Sequence, residues 1–202
     1  MCLIALSVEK ASDWNGKDSY FFKVIANRDE YHARQTTQMH WWPNKLILAG
    51  KDEEAGGTWL GTNRNGKFAA ITNLKEQNQI NYTSSRGALV TDFLESKQSA
   101  KAYLEQIDPK KEEFAGFNLI VGDKDGLFYL CNRLEGIYFI SEGTHALGNL
   151  TLNSSTKKVD SIKNDFDDIL HEGFTAEKGF KIMKKEYGNL HEKSKEELAV
   201  RD

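Results

Sequence analysis

The hydrophobic pattern changes character once along the chain. Up to Asn153 the apolar residues come in short runs of four to eight: CLIALSV, YFFKVIAN, KLILAG, GTWLGT, KFAAITN, FNLIVGD, LFYLCNR, GIYFISE and HALGNL. Such runs, separated by Asn15-Gly16, Asn65-Gly66, Asp125-Gly126 and Glu135-Gly136, predict strands joined by tight turns. Several runs are apolar throughout rather than alternating, which predicts sheets covered on both faces. Helical spacing interrupts the series at SSRGALVTDFLES, where Leu89, Phe93 and Leu94 share a face, and at SAKAYLEQI. Beyond Asn153 the period becomes helical: Val159, Ile162, Phe166 and Ile169 recur at three and four, and AEKGFKIMKKEY follows. Ser194 and Glu197 have the spacing of a capping box. Strands with helices inserted and appended predict an α+β fold of two sheet layers covered by helices.

Composition narrows the function classes. The 202 residues suit one domain with a full core, and 28% charged with 39% hydrophobic residues is ordinary for a globular protein. A net charge of -3 lacks the basic balance of a nucleic-acid binder, and Lys-rich spots such as KIMKKEY sit among acidic neighbours. No apolar run approaches 18 residues, so no membrane insertion is expected. LIAL is too short for a signal peptide and lacks its basic start. Two cysteines, Cys2 and Cys131, fit a reducing compartment better than a disulfide framework, and a cytoplasmic location is expected.

Four polar clusters stand at the ends of predicted strands: Cys2, the Asn27-Arg28-Asp29-Glu30 run, Asn73 and Asn149. Strand ends are where scaffolds present functional groups. If Met1 is removed, Cys2 carries both a thiol and an α-amine of pKa about 7.7–8.0, so one residue supplies nucleophile and base. Arg28 and Asp29 can then orient the amine and substrate, and Asn73 and Asn149 can donate to an oxyanion. Each position also has a plainer reading. Cys2 fits as a packed strand residue, Asn27 to Glu30 as a turn with a surface ion pair, and the two asparagines as turn residues. His32, His40 and His145 have no metal-site spacing, so no metal is expected. Trp41 and Trp42 read as packing residues that can also wall a flat ligand.

Together the blocks MCLIAL, ANRDEYHAR, LAGKDEEAGGTWLG, FAAITN, SRGALVTDFL, FAGFNLIVGD and HALGNLTLNSS resemble the NRDE proteins, also called the transport-and-Golgi-organisation-2 family. The resemblance runs from residue 1 to about 160. It implies the four-layer αββα sandwich of the N-terminal-nucleophile hydrolases, with two antiparallel sheets, and a single domain over residues 1–202. The blocks are similar to those of the choloylglycine-hydrolase type, and that resemblance implies Cys2 at the nucleophile position and Asp29 at that of the aspartate holding the α-amine. Asn73 and Asn149 match the asparagines around the oxyanion. The hydrolase arginine precedes the aspartate by three residues, where this chain has Ala26, so Arg28 is displaced from that pattern. The family pattern continues into a last helix and strands with an Arg-Ser-Ser type motif, which residues 1–202 do not include.

Two functions follow as expectations. One is hydrolysis of a non-peptide amide C–N bond by Cys2, or a non-catalytic derivative of that fold. The other is ligand binding without turnover, since the family is associated with intracellular haem trafficking and lipid homeostasis. Haem would then be a transported ligand, contacted by Trp41, Trp42, Trp59 and His32 or His40, although no Cys-Pro or C-x-x-C-H signature is present. In either case the expected partner is a small molecule. No resident cofactor and no nucleic acid are expected, and nothing in the sequence sets the oligomeric state.

Overall fold

The structure, a computed structural model, describes residues 2–12, 18–31, 33–43, 46–74, 82 and 85–185. Met1, His32, the Asn15-Gly16 turn and the Ser194/Glu197 capping box lie outside them. The order is β1 (Cys2–Ser12), β2 (Asp18–Arg28), β3 (Thr36–Trp41), β4 (Ile47–Asp52), β5 (Leu60–Asn63), β6 (Phe68–Asn73), α1 (Arg86–Glu95) and α2 (Ala100–Ile107), which runs into a 3₁₀ turn over Asp108–Glu113. It continues with β7 (Phe117–Asp123), β8 (Gly126–Cys131), β9 (Ile137–Ile140), β10 (Gly143–Leu147), α3 (Lys157–His171) and α4 (Ala176–Met183).

Strand β1 explains the layering. Side chains alternate across a strand. Ile4, Leu6 and Val8 enter a core shared with Phe68, Ile120 and Leu127 of another sheet. Leu3 and Ala5 point the opposite way, into a core with Val159, Ile162 and Phe166 of α3. Both faces of β1 are therefore buried, which is why its run shows no alternation. The small sheet has the order β10-β1-β2, and the large sheet runs β3-β4-β5-β6-β7-β8-β9, antiparallel throughout. Helices α1 and α2 cover the outer face of the large sheet through Leu89, Phe93 and Leu104, packed on Ile47, Ala69 and Leu119. The architecture is an αββα sandwich.

Helices form where the 3.6-residue spacing predicts them. Val159, Ile162, Phe166 and Ile169 are the buried residues of α3, and the Thr156 side chain accepts from Val159 N–H as its N-cap. Strand β3 escapes the sequence reading. TTQMHW is mostly exposed at the edge of the large sheet, so nothing in its polarity marks it. GTWLGT also divides: only Leu60–Asn63 is strand, and Gly57 to Trp59 form a loop. A Cβ on Gly57 would stand 3.0 Å from the carbonyl carbon of Gly87, so this loop meets the first turn of α1 backbone to backbone. Gly61 has a similar constraint, with its missing Cβ 2.9 Å from Ala49 Cβ and 3.1 Å from Leu94 Cδ1. Among the described residues no helix is long and apolar enough to cross a membrane.

Candidate active site

In the antiparallel ladder of β1 and β2, Cys2 pairs with Arg28. Directly paired residues share a face. Arg28 therefore lies on the inter-sheet side with Cys2, two residues beyond Ala26, which packs against that core. Strand β2 is the edge of the small sheet. A cavity of about 1200 Å³ opens along this edge, lined among the described residues by Cys2, Arg28, Arg34, Asp52, Asn73 and Arg86. Trp59, Leu60, Phe68, Phe174, Phe180 and Met183 supply an apolar wall.

The Asn27–Glu30 run splits between two faces, as its position at a strand end dictates. Arg28 Nη2 reaches Glu30 at 3.3 Å and Asp52 at 3.2 Å. Asp52 also takes Arg34 Nε at 2.7 Å and the backbone N–H groups of Glu54 and Ala55. Burial works against ionisation of Asp52, but the Arg34 hydrogen bond, the Ala55 N–H and the two arginine charges outweigh it. Its carboxyl is held below the usual carboxylate range. Asp29 accepts from Asn27 Nδ2 at 3.1 Å and lies 3.8 Å from Lys158 Nζ of α3, so it does not border the cavity.

Cys2 is half-buried and unbridged. Burial pushes its thiol up, Arg28 pulls it down, and Asp29 and Glu30 push it up again; the net shift is upward. A thiol held neutral needs a base to act as nucleophile. Cys131, by contrast, is fully buried in the inter-sheet core.

Asn73 ends β6 with an exposed side chain bordering the cavity. Asn149 does not line the cavity, but its Nδ2 donates to the Asn73 carbonyl at 2.7 Å. An amide nitrogen carries two N–H groups, and the second has no partner among the described residues. Asn149 Oδ1 is buried with no hydrogen-bond partner among the described residues. The two asparagines are 76 positions apart and are brought together by the approach of β6 to the loop after β10.

A buried polar group that the sequence reading missed lies beneath that loop. Thr72 donates to Gly148 O at 2.9 Å, and Asn118 donates to Leu150 O at 2.9 Å and to Thr72 Oγ1 at 3.2 Å. Tyr129 donates to Asn118 Oδ1 at 2.6 Å and accepts from Leu152 N–H at 3.2 Å. The signal was present in FNLIVGD, where Asn118 is a lone amide in an apolar strand.

The aromatic residues expected around a flat ligand do not assemble. Trp59 borders the cavity. Trp41 lies under Arg64, whose guanidinium is 4.0 Å from the ring centre, and Trp42 packs on the α1 side of the large sheet. His40 Nδ1 bonds Gln38 O, and His145 bonds Ser141 O and Asn153. Among the described residues no three His, Cys, Asp or Glu side chains converge as a metal site would require.

This αββα sandwich has the fold of the N-terminal-nucleophile hydrolases. It matches the solved structure of the Caenorhabditis elegans N-acylethanolamine-hydrolyzing acid amidase ortholog with a TM-score of 0.55, 11% identity, and coverage of 90% of this chain and 86% of that one. The chain belongs to the family described as Transport and Golgi organisation 2, whose profile matches residues 1–200. The Mus musculus and Homo sapiens homologues of that name are each 35% identical over 153 residues, or 71% of this chain. The chain spans about half the length of those relatives, 55% in each case.

Proposed function

We propose that the protein is a cysteine amidohydrolase acting on a non-peptide amide. The observation that carries this reading is the placement of Cys2, at the head of β1, in one cavity with Arg28 and Asn73, with Asn149 tied to Asn73 behind them. With Met1 removed, the neutral α-amine takes the thiol proton and the sulfur forms a bond to the carbonyl carbon. The carbonyl oxygen becomes an oxyanion, met by side-chain N–H groups of Asn73 and Asn149. A donor of this kind is worth about 3 kcal/mol to the barrier. The tetrahedral intermediate collapses as the C–N bond breaks, and the leaving amine takes the proton. Water then attacks the thioester, the acid departs and the thiol is restored. Asp29 is assigned to hold the α-amine and Arg28 to keep positive charge beside the sulfur. The substrate is a small molecule, and the proposed location is the cytoplasm.

The test is release of amine from fluorogenic amides acylated with chains from acetyl to palmitoyl, by protein whose mass shows Met1 removed. Turnover that disappears in Cys2→Ala is expected. Turnover unchanged in that variant would exclude the mechanism.

A second reading, binding of haem or a lipid-related ligand without turnover, is favoured by the extent of the apolar wall from Trp59 to Met183. No histidine lines the cavity among the described residues, so a bound haem would lean on apolar contact. A haem titration that leaves the absorption spectrum unchanged removes that ligand.

A further inference from the structure

Asn149 is poorly fixed by its own side chain. One Nδ2–H is committed to Asn73 O, and the buried Oδ1 has no partner among the described residues. The loop that carries it is nevertheless tied at almost every step. Gly148 O accepts from Thr72, Leu150 O from Asn118, and Leu152 N–H donates to Tyr129. Asn153, in the left-handed region at φ 58°, closes the loop on Ala146: its N–H donates to Ala146 O at 2.9 Å, and its Oδ1 accepts from Ala146 N–H at 3.0 Å. The anchors come from β6, β7 and β8 of the large sheet, whereas the loop follows β10 of the small sheet. The network thus fixes the loop across the sandwich.

Asn118 is the hub. It is fully buried, and it uses both N–H groups and its oxygen within the network. A buried amide satisfied this completely holds one geometry, because every rotation strands a polar group. Packing alone would be met by leucine at this site.

We infer that Asn118, with Thr72 and Tyr129, is a positioning residue that sets where the Asn149 donors stand for the reaction proposed for Cys2. This rests on the amidohydrolase reading. The group touches no substrate and acts only through the 148–152 loop.

The test separates two reactions of the same sulfur, read by mass on protein lacking Met1. Acylation of Cys2 by p-nitrophenyl acetate builds an oxyanion; alkylation by iodoacetamide displaces iodide and builds none. In Thr72→Val, Tyr129→Phe and Asn118→Leu, acylation is expected to slow about ten- to a hundredfold, the size of effect a small misplacement produces. Alkylation should stay at the wild-type rate, which a generally loosened fold would not preserve. Thr72→Val and Tyr129→Phe change least in volume and decide the matter if Asn118→Leu does not fold. The inference is overturned if the folded variants acylate at the wild-type rate while Asn149→Ala is slow, or if both reactions change together. Wild-type acylation no faster than that of free cysteine, or unaffected by Asn149→Ala, instead overturns the amidohydrolase reading. Hydrogen exchange of the 149–152 amides then judges the anchoring: faster exchange in the three variants upholds it, and unchanged exchange ends it.

Discussion

The amide of Asn149 donates to the backbone carbonyl of Asn73 at 2.7 Å, across 76 residues of sequence and from the loop after β10 of the small sheet to the end of β6 of the large sheet. This bond uses one of the two Nδ2 hydrogens and orients the other. In Asn149→Ala both donors are lost, and acylation of Cys2 should fall about a hundredfold, as when an oxyanion donor is removed. Stability should change by only about 1 kcal/mol, the net worth of one hydrogen bond. Stopped-flow acylation together with a urea titration checks both.

The charges around Cys2 predict the direction of its titration. Burial raises the thiol, Arg28 lowers it, and Glu30 raises it. Only the thiolate is alkylated, so the iodoacetamide rate plotted against pH reports the ionisation. Arg28→Gln should move the midpoint to higher pH, and Glu30→Gln should move it lower. Opposite shifts would mean that these charges do not face the sulfur.

Asp52 links the cavity arginines to acid stability. Its carboxyl is held below the ordinary range, so its contribution is complete above the unfolded value of about 3.9 and is lost as pH falls through the folded value. Asp52→Asn should cost about 1–3 kcal/mol at pH 7, since hydrogen bonds to a charged group are lost. The variant should also show a flatter decline than the wild type below pH about 4. Urea midpoints between pH 7 and pH 3 decide it.

Two glycines of GGTWLG, Gly57 and Gly61, are set by contact. In Gly57→Ala the new methyl would meet the Gly87 backbone at 3.0–3.2 Å, and neither partner is a side chain that can turn aside. The expected loss is about 1–3 kcal/mol, typical of forced overpacking. Gly61→Ala meets Ala49 Cβ at 2.9 Å and the flexible end of Leu94 at 3.1 Å, and should be destabilised as well. Thermal melts of both variants provide the comparison.

Sequence periodicity conveys most of this fold because burial is so regular. Strand β1 is apolar on every position from Leu3 to Leu6, and α3 repeats its four buried residues at helical spacing. Strand β3 was invisible because an exposed edge leaves no hydrophobic trace. At the candidate site, position along strands singles out Cys2, Arg28, Asp29, Asn73 and Asn149 as candidates, and the structure brings Cys2, Arg28 and Asn73 to one cavity. Asp52 and Arg34 were not legible, since their roles depend on a strand and a loop meeting Arg28 from elsewhere in the chain. Asn118 was legible only as an anomaly, a polar residue among apolar neighbours whose partners no spacing rule reveals.

In the proposed reaction Cys2 is a nucleophile carrying its own base. The most direct measurement is the intact mass of purified protein, taken before and after brief exposure to p-nitrophenyl acetate. The expected result is a chain lacking Met1 that gains one acetyl group, mapped to Cys2 and absent from Cys2→Ala. A chain lacking Met1 that gains no acetyl group at Cys2 would contradict it.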